Sequence, residues 1–222
     1  KKPYYEKLIN NAGFEEEMDL LAFYVNRDDI DLSRFERALE IVYKRNPGLK
    51  IREVNMKKLN EEVEIVRNIY NQAWKDNWGF LPLTYEELQH TAKDFKMILD
   101  TDFAHIAEID GKPVAFSIAL LDYNQLFKEM NGNLFPFGIF KFLFGKKKID
   151  RLRTALLGVI PEYRGKGIDA LLTQKAIEKG LPRGLTQSEI SWVLGNNTEM
   201  IRLAERIGGS LDKTYRMYKK EL

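Results

Sequence analysis

From Lys50 to Lys219 the sequence alternates short β-prone runs with longer stretches whose apolar residues recur every three or four positions. That alternation is the strongest constraint on the fold, because each period demands its own element. Lys50 to Val54 reads as a strand. Asn60 to Lys75 reads as a helix, with Val63, Val66, Ile69, Tyr70 and Ala73 on one face. Thr84, with Glu87 three residues on, has the form of a capping box opening a helix that reaches about Leu99. His105 to Ile109 and Val114 to Leu121 read as strands joined through Asp110-Gly111, a pair suited to the positive φ angles of a tight hairpin. Asp122 to Asp150 reads as irregular, aromatic and basic. Then follow a strand (Arg153 to Val159), a helix (Gly165 to Gly180), a strand (Ser188 to Leu194), a helix (Thr198 to Ile207) and a last strand (Lys213 to Lys219). The order β-α-α-β-β-β-α-β-α-β predicts an α/β fold: one mixed sheet with helices on its faces.

Upstream, Pro3 to Asn11 reads as a short helix, Met18 to Val25 as a β-prone run, and Asp31 to Arg45 as a helix ended by Asn46-Pro47-Gly48. Tyr5 to Phe14 echoes Met200 to Gly209: each is a helix, a glycine and a strand. The chain starts at Lys1 rather than at a methionine. The division expected is therefore a 1–46 tail, from a preceding similar module or an N-terminal extension, and a complete domain over 47–222. The tail could supply a strand and helix to that domain or merely lean against it.

Composition removes several function classes. The 222 residues include no cysteine, which excludes disulfides and thiolate chemistry. His90 and His105, the two histidines, stand far apart, so no metal site is expected. The net charge is +2, with scattered lysines, and argues against a nucleic-acid partner. No apolar run reaches the roughly 18 residues of a membrane span, and no signal peptide opens the chain. The cytoplasm is the default address.

Chemistry concentrates in Leu157-Gly158-Val159-Ile160-Pro161-Glu162-Tyr163-Arg164-Gly165-Lys166-Gly167-Ile168-Asp169. A buried strand meets a proline, then a basic glycine turn, then an amphipathic helix. Free N–H groups and the positive end of the helix dipole suit a phosphate or pyrophosphate at such a turn. Arg164 and Lys166 add charge, and the glycines allow close approach to the main chain. Taken alone, the same turn would serve equally as a solvated strand–helix connection.

This segment resembles motif A of the GNAT acetyltransferases, Val-x-Pro-x-x-[Arg/Gln]-x-x-Gly-x-[Gly/Ala], with Arg164 and Gly167 at the named positions. Asn197-x-x-Met200-x-x-Leu203-Ala204-x-Arg206-x-Gly208-Gly209 resembles motif B at the right distance. The resemblance covers about Lys50 to Leu222 and implies the GNAT fold and acetyl-CoA as acyl donor. By that resemblance Arg164, Gly165, Lys166, Gly167, Ile168 and Asp169 would hold the pyrophosphate. Leu157, Gly158 and Val159 would pair with the pantetheine arm, and Asn197 would contact that arm or assist proton movement.

The sequence departs from the family pattern at two points. Asp169 replaces Gly or Ala, and Ala204 stands where many relatives carry a proton-donating tyrosine. Tyr215 or Tyr218 on the last strand are the substitutes available, and Glu189 is the candidate base; His105 and Glu108 are isolated strand positions. Positioning of the two reactants can itself carry direct transfer to an amine. The acceptor region of the family falls on Tyr70 to Pro82, where Asn71, Trp74, Trp78 and Phe80 offer an apolar body with polar handles. Leu134 to Lys148 is rich in phenylalanine and ends in three lysines. It reads as a small helix packed on the sheet, as a lid, or as a membrane-touching segment. The reading that results is an N-acetyltransferase acting on a primary amine; its alternative is an inactive CoA-binding or protein-interaction module.

Overall fold

A computed structural model describes residues 4–130 and 138–221. Seven strands form one sheet: β1 (Glu15–Asn26), β2 (Leu49–Glu53), β3 (Ala104–Ile109), β4 (Lys112–Leu121), β5 (Arg151–Val159), β6 (Gln187–Leu194) and β7 (Ser210–Lys219). Their spatial order is β2-β3-β4-β5-β6-β1-β7. Every neighbour pair is antiparallel except β5 and β6. The eight α-helices among the described residues are α1 (Tyr4–Asn11), α2 (Leu32–Arg45), α3 (Leu59–Ala73), α4 (Tyr85–Phe95), α5 (Asn124–Met130), α6 (Gly138–Gly145), α7 (Ile168–Gly180) and α8 (Thr198–Arg206).

Local chemistry accounts for most of these boundaries. Thr84 and Glu87 exchange the two hydrogen bonds of a capping box at the start of α4. Asp110 and Gly111 both take positive φ in the β3–β4 turn, as the hairpin twist requires. Val63, Val66, Ile69 and Ala73 form the buried stripe of α3. A Cβ on Gly158 would meet Phe116 and Ala73, so α3 packs on the Phe116 side of the sheet. Ser117 and Ala119 share a cavity lining with Leu172, Thr173 and Ala176 of α7, which places α7 on the other side. The α7 crossover between adjacent strands makes β5 and β6 the parallel pair.

The central apolar cluster joins Leu39, Val66, Ile69, Phe116, Ile168 and Leu172, all buried. A second cluster, with Phe23, Val25, Ile190, Val193 and Leu203, fills the space under α8.

Two outcomes could not be read from local pattern. β1 lies between β6 and β7, pairing Phe23 with Ile190 on one side and with Leu211 on the other. The stretch Asp122 to Asp150, expected to be irregular, contains α5 and α6. Of the phenylalanine-rich run, residues 134–137 lie outside the described residues.

Candidate active site

The site begins where β5 and β6 part. They pair only from Arg151 to Thr154 against Gln187 to Ile190. Beyond that register, Leu156 to Val159 keeps its pairing with β4 but has left β6, and Ala155 sits at the irregularity between the two stretches of β4 pairing. Those main-chain groups therefore have no strand partner on the β6 side, and buried peptide groups need one.

At the end of β5, Pro161–Tyr163 makes a short 3-10 turn, and Gly165 and Gly167 take φ of 70° and 79°. These positive angles delay the helix to Ile168, three residues after its expected start at Gly165. Among the described residues, the N–H groups of Gly165, Lys166, Gly167, Ile168 and Asp169 find no main-chain acceptor, whereas Arg164 N–H donates to Pro161. A Cβ on Gly165 would meet nothing within 4 Å, so this part of the turn is open. Behind it, a Cβ on Gly167 would come within 2.6 Å of Val42 Cγ2. Asn46 Nδ2 also donates to the Lys166 carbonyl at 3.3 Å. Thus α2 and the residue that follows it buttress the turn from within.

Two lobes meet at this opening. The outer lobe, about 430 Å³, is lined by Ala73, Leu157, Gly158, Val159, Arg164, Gly165, Asp169 and Asn197 among others. The inner lobe, about 310 Å³, is lined by Leu20, Tyr70, Trp78, Phe80, Thr154, Ala155, Ser191 and Trp192 among others. Trp74, Asn77, Leu157, Asn197 and Met200 belong to both, which makes the two lobes one continuous cleft. The volumes lie in the range of small-molecule sites.

Each residue singled out from sequence has a definite place. The Arg164 guanidinium folds back, donating to the Val159 carbonyl at 3.4 Å and to the Ala73 carbonyl. It ties the end of α3 to the end of β5. Lys166 is exposed with its ammonium 4.4 Å from the Tyr163 ring centre, and Ile168 is fully buried. Asn197 accepts the Met200 N–H at 3.1 Å, capping α8 while facing the cleft. Glu189 is not on the cleft wall. It accepts from Ser191 Oγ at 2.6 Å and lies 3.6 Å from Arg153 Nε. Tyr215 packs edge-on against Trp192 at 5.8 Å. Asn71 makes a paired bond with the main chain of Leu83 and so pins the loop after α3 rather than facing the cleft. Trp78 Nε1 donates to Glu17 Oε1 at 3.0 Å. Lys219 and then Trp78 hold the Glu17 carboxyl below its usual range. His105 is buried, both its ring nitrogens lack a hydrogen-bond partner among the described residues, and burial holds its pKa down. Glu108 is taken by Arg52.

Asp169 is the electrostatic exception. Burial raises its carboxyl pKa, while N–H groups of Ala170 and of its own residue pull the other way; Glu199 adds to the rise and Arg206 opposes it. Among the described residues, no group of three or more potential metal ligands gathers anywhere.

Sequence reasoning placed Tyr70 at the edge of the acceptor region but did not name Leu20, Thr154, Ser191, Trp192 or Met200 as site residues. Tyr70 meets Trp74 edge-on at 4.3 Å and lies tilted to Phe80 at 5.9 Å, and burial pushes its phenol pKa up. Trp192 is exposed although Ile190, two positions before it, packs under α8; strict alternation would put both on one face, so the strand pattern did not mark it. Nothing in sequence marked Leu20, because β1 reaches the cleft only through long-range pairing.

A seven-stranded mixed sheet whose parallel pair opens beside a glycine turn is the architecture of an acyl-CoA transferase fold. Residues 63–209 match the Acetyltransferase (GNAT) family, and the chain belongs to that family. It is similar to Protein YghO of Escherichia coli K12, at 36% identity over all of this chain and 58% of that protein. It is also similar to a bacterial ceramide synthase of Caulobacter vibrioides, at 31% identity over 96% of this chain and 57% of that one. The chain thus spans somewhat more than half the length of these curated relatives. Among solved structures, a GCN5-related N-acetyltransferase of Sphaerobacter thermophilus superposes with a TM-score of 0.67 at 15% identity, over 98% of this chain and 56% of that one. A tandem GNAT protein from the clavulanic acid biosynthesis pathway gives 0.59 at 11%, over 98% and 58%.

Proposed function

We propose that this chain transfers a short acyl group, in the first instance acetyl from acetyl-CoA, to a primary amine by direct attack. The observation that carries this reading is the parted β5–β6 pair beside a turn with five N–H groups lacking main-chain acceptors. Acyl-CoA would supply a thioester carbonyl already activated for transfer. The donors of residues 165 to 168 would take its diphosphate at the positive end of α7, while the Asp169 N–H is turned to its own carboxyl. The β6-facing edge of Leu156 to Val159 would pair with the amides of the pantetheine arm, bringing the thioester toward the junction of the two lobes.

At that junction Trp74, Asn77 and Asn197 face both lobes. The amine would lie in the inner lobe, against Trp78, Phe80 and Trp192. Attack forms an N–C bond as the C–S bond breaks; CoA leaves as thiolate and the amine proton passes to it or to solvent. Glu189, already held by Arg153 and Ser191, is not free to receive that proton, and the Asn197 amide is too weak a base to take it, so the proton goes to the leaving thiolate or to solvent. Positioning is then the main contribution of the chain. The aromatic inner lobe favours an amine carried on an apolar body, and the relative named a ceramide synthase supports the same choice.

Asp169 favours a second reading, in which a carboxyl beside the turn weakens diphosphate binding and the domain serves as a binding module. Two measurements separate the readings. Acetyl-CoA at a hundredfold excess over its Kd should stabilise the protein by about 2.7 kcal/mol through preferential binding to the folded state. Thiol release should follow when amines of graded chain length are added. No thermal shift and no calorimetric binding would end the transferase and the CoA-binding module alike and leave only a protein-interaction module; binding without turnover across the amine panel would leave the CoA-binding module.

A further inference from the structure

Helix α6 (Gly138–Gly145) is apolar on the side that faces solvent as well as on the side that faces the protein. Its inner side is ordinary. Gly138 and Gly145 are buried, and Phe142 lies 5.5 Å from the Tyr123 ring and stacks on Phe127 at 6.1 Å. A Cβ on Gly145 would come within 2.7 Å of Leu126, so the helix is seated closely on α5. Its outer side carries Phe140, Leu143 and Phe144, which are 56%, 59% and 75% exposed; Phe127 on α5 is 50% exposed. With Lys141 as its one charged residue, α6 presents large apolar side chains toward solvent as well as toward the protein, which suits a helix lying at an apolar interface. The outward residues are large ones gathered on a single helix.

The turn that follows supplies the second observation. Lys146, Lys147 and Lys148 are consecutive, exposed and separated from Phe144 by Gly145 alone. No ion pair with a described residue engages them; Lys146 lies 5.6 Å over the Tyr123 ring. Apolar rings flanked by unneutralised lysines match the interface of an anionic bilayer, where rings enter the acyl boundary and ammonium groups meet headgroup phosphates. We propose that α6 and the Lys146–Lys148 turn form a docking surface for an anionic lipid bilayer.

The length of α6 sets the mode. Eight residues make about 12 Å of helix, far short of a hydrocarbon core of about 30 Å, so α6 lies in the interface plane and does not cross. A second copy fits less well. In an isologous contact between two copies, the two lysine turns would flank the same patch and repel. This surface is separate from the cleft, and the inference does not depend on acyl transfer.

The test uses the full chain in co-sedimentation with vesicles of phosphatidylcholine alone or with roughly one-third phosphatidylglycerol. Binding is expected to the anionic vesicles, to fall at least tenfold with Phe144→Asp or with Lys147→Glu combined with Lys148→Glu, and to weaken with added salt. Both variants should keep the melting temperature of the parent, since the substituted side chains are exposed. Failure to sediment with anionic vesicles at low salt overturns the proposal. So does binding that Phe144→Asp leaves unchanged. If the parent instead self-associates, and Phe144→Asp abolishes that association, the patch is a contact between copies and the bilayer is excluded.

Discussion

At the scale of single residues, the cleft is governed by who already has a partner. Arg164 sits at the position motif A specifies, yet its guanidinium is spent on two carbonyls, and the free donors are main-chain N–H groups further along the turn. The residue type was legible in the sequence; its hydrogen bonds were not, because they depend on where the end of α3 comes to rest. Asp169 is the position where charge and site conflict. Its pKa is raised in the folded chain, so the folded state binds the proton more tightly than the unfolded state. Stability is therefore lost as pH rises through the unfolded value of 3.8 toward the folded one, and the penalty is complete above it. Asp169→Asn is expected to stabilise the protein at pH 7, with the gain disappearing as pH falls below that unfolded value. Urea unfolding of both proteins across that range checks the sign, and equal stabilities at pH 7 would contradict it. The same substitution should tighten CoA binding, since it removes a carboxylate from beside the diphosphate donors.

At the scale of elements, β1 is the piece whose role its own sequence conceals. Residues 18 to 25 advertise a strand, but nothing local says that the strand lies between β6 and β7, contributes Leu20 to the inner lobe and positions Glu17 to hold Trp78. Phe23 and Val25 are buried beneath α8 and so join β1 to the domain core. Phe23→Ala should cost about 3–5 kcal/mol, the usual loss for a buried ring. Chemical denaturation measures it; a loss below about 1 kcal/mol would show that β1 is only loosely attached. By contrast, α4 was legible down to its first residue, because a capping box is written in two side chains three positions apart. Of the α5–α6 region only a small helix before the lysine turn was read in advance, as one of three alternatives, and α5 was not. Short apolar helices carry too few turns for a period to show, and aromatic runs suit either state.

At the scale of the whole molecule, the sheet depends on strand insertion. β7 makes its ladder with β1, and β6 offers its second edge to the same strand. A chain reduced to residues 47–222 would leave β6 with an open edge and β7 without a neighbour. Unpaired edges of that length promote association. The shortened chain is therefore expected to run as aggregate or oligomer on size exclusion while the full chain elutes as a defined species; a stable shortened monomer would show that β7 can re-pair with β6 directly. α2 matters at this scale too, since Val42 and Asn46 support the glycine turn from across the core.

What the amino-acid order determined by itself was everything carried by short-range physics. The periods of α3 and the strands, the capping box of α4, the Asp110-Gly111 hairpin and the strand–glycine turn–helix unit all follow from neighbours within a few positions. Together with the two spaced motifs they were enough for the fold class and the family. Tertiary structure alone decided the insertion of β1, the inner lobe built from Leu20, Tyr70 and Trp192, the engagement of Glu189 and Asn71 elsewhere, and the outward apolar side of α6. The physical reason is common to all four. Each depends on which distant groups meet, and packing and hydrogen-bond satisfaction settle that only once the whole sheet has closed.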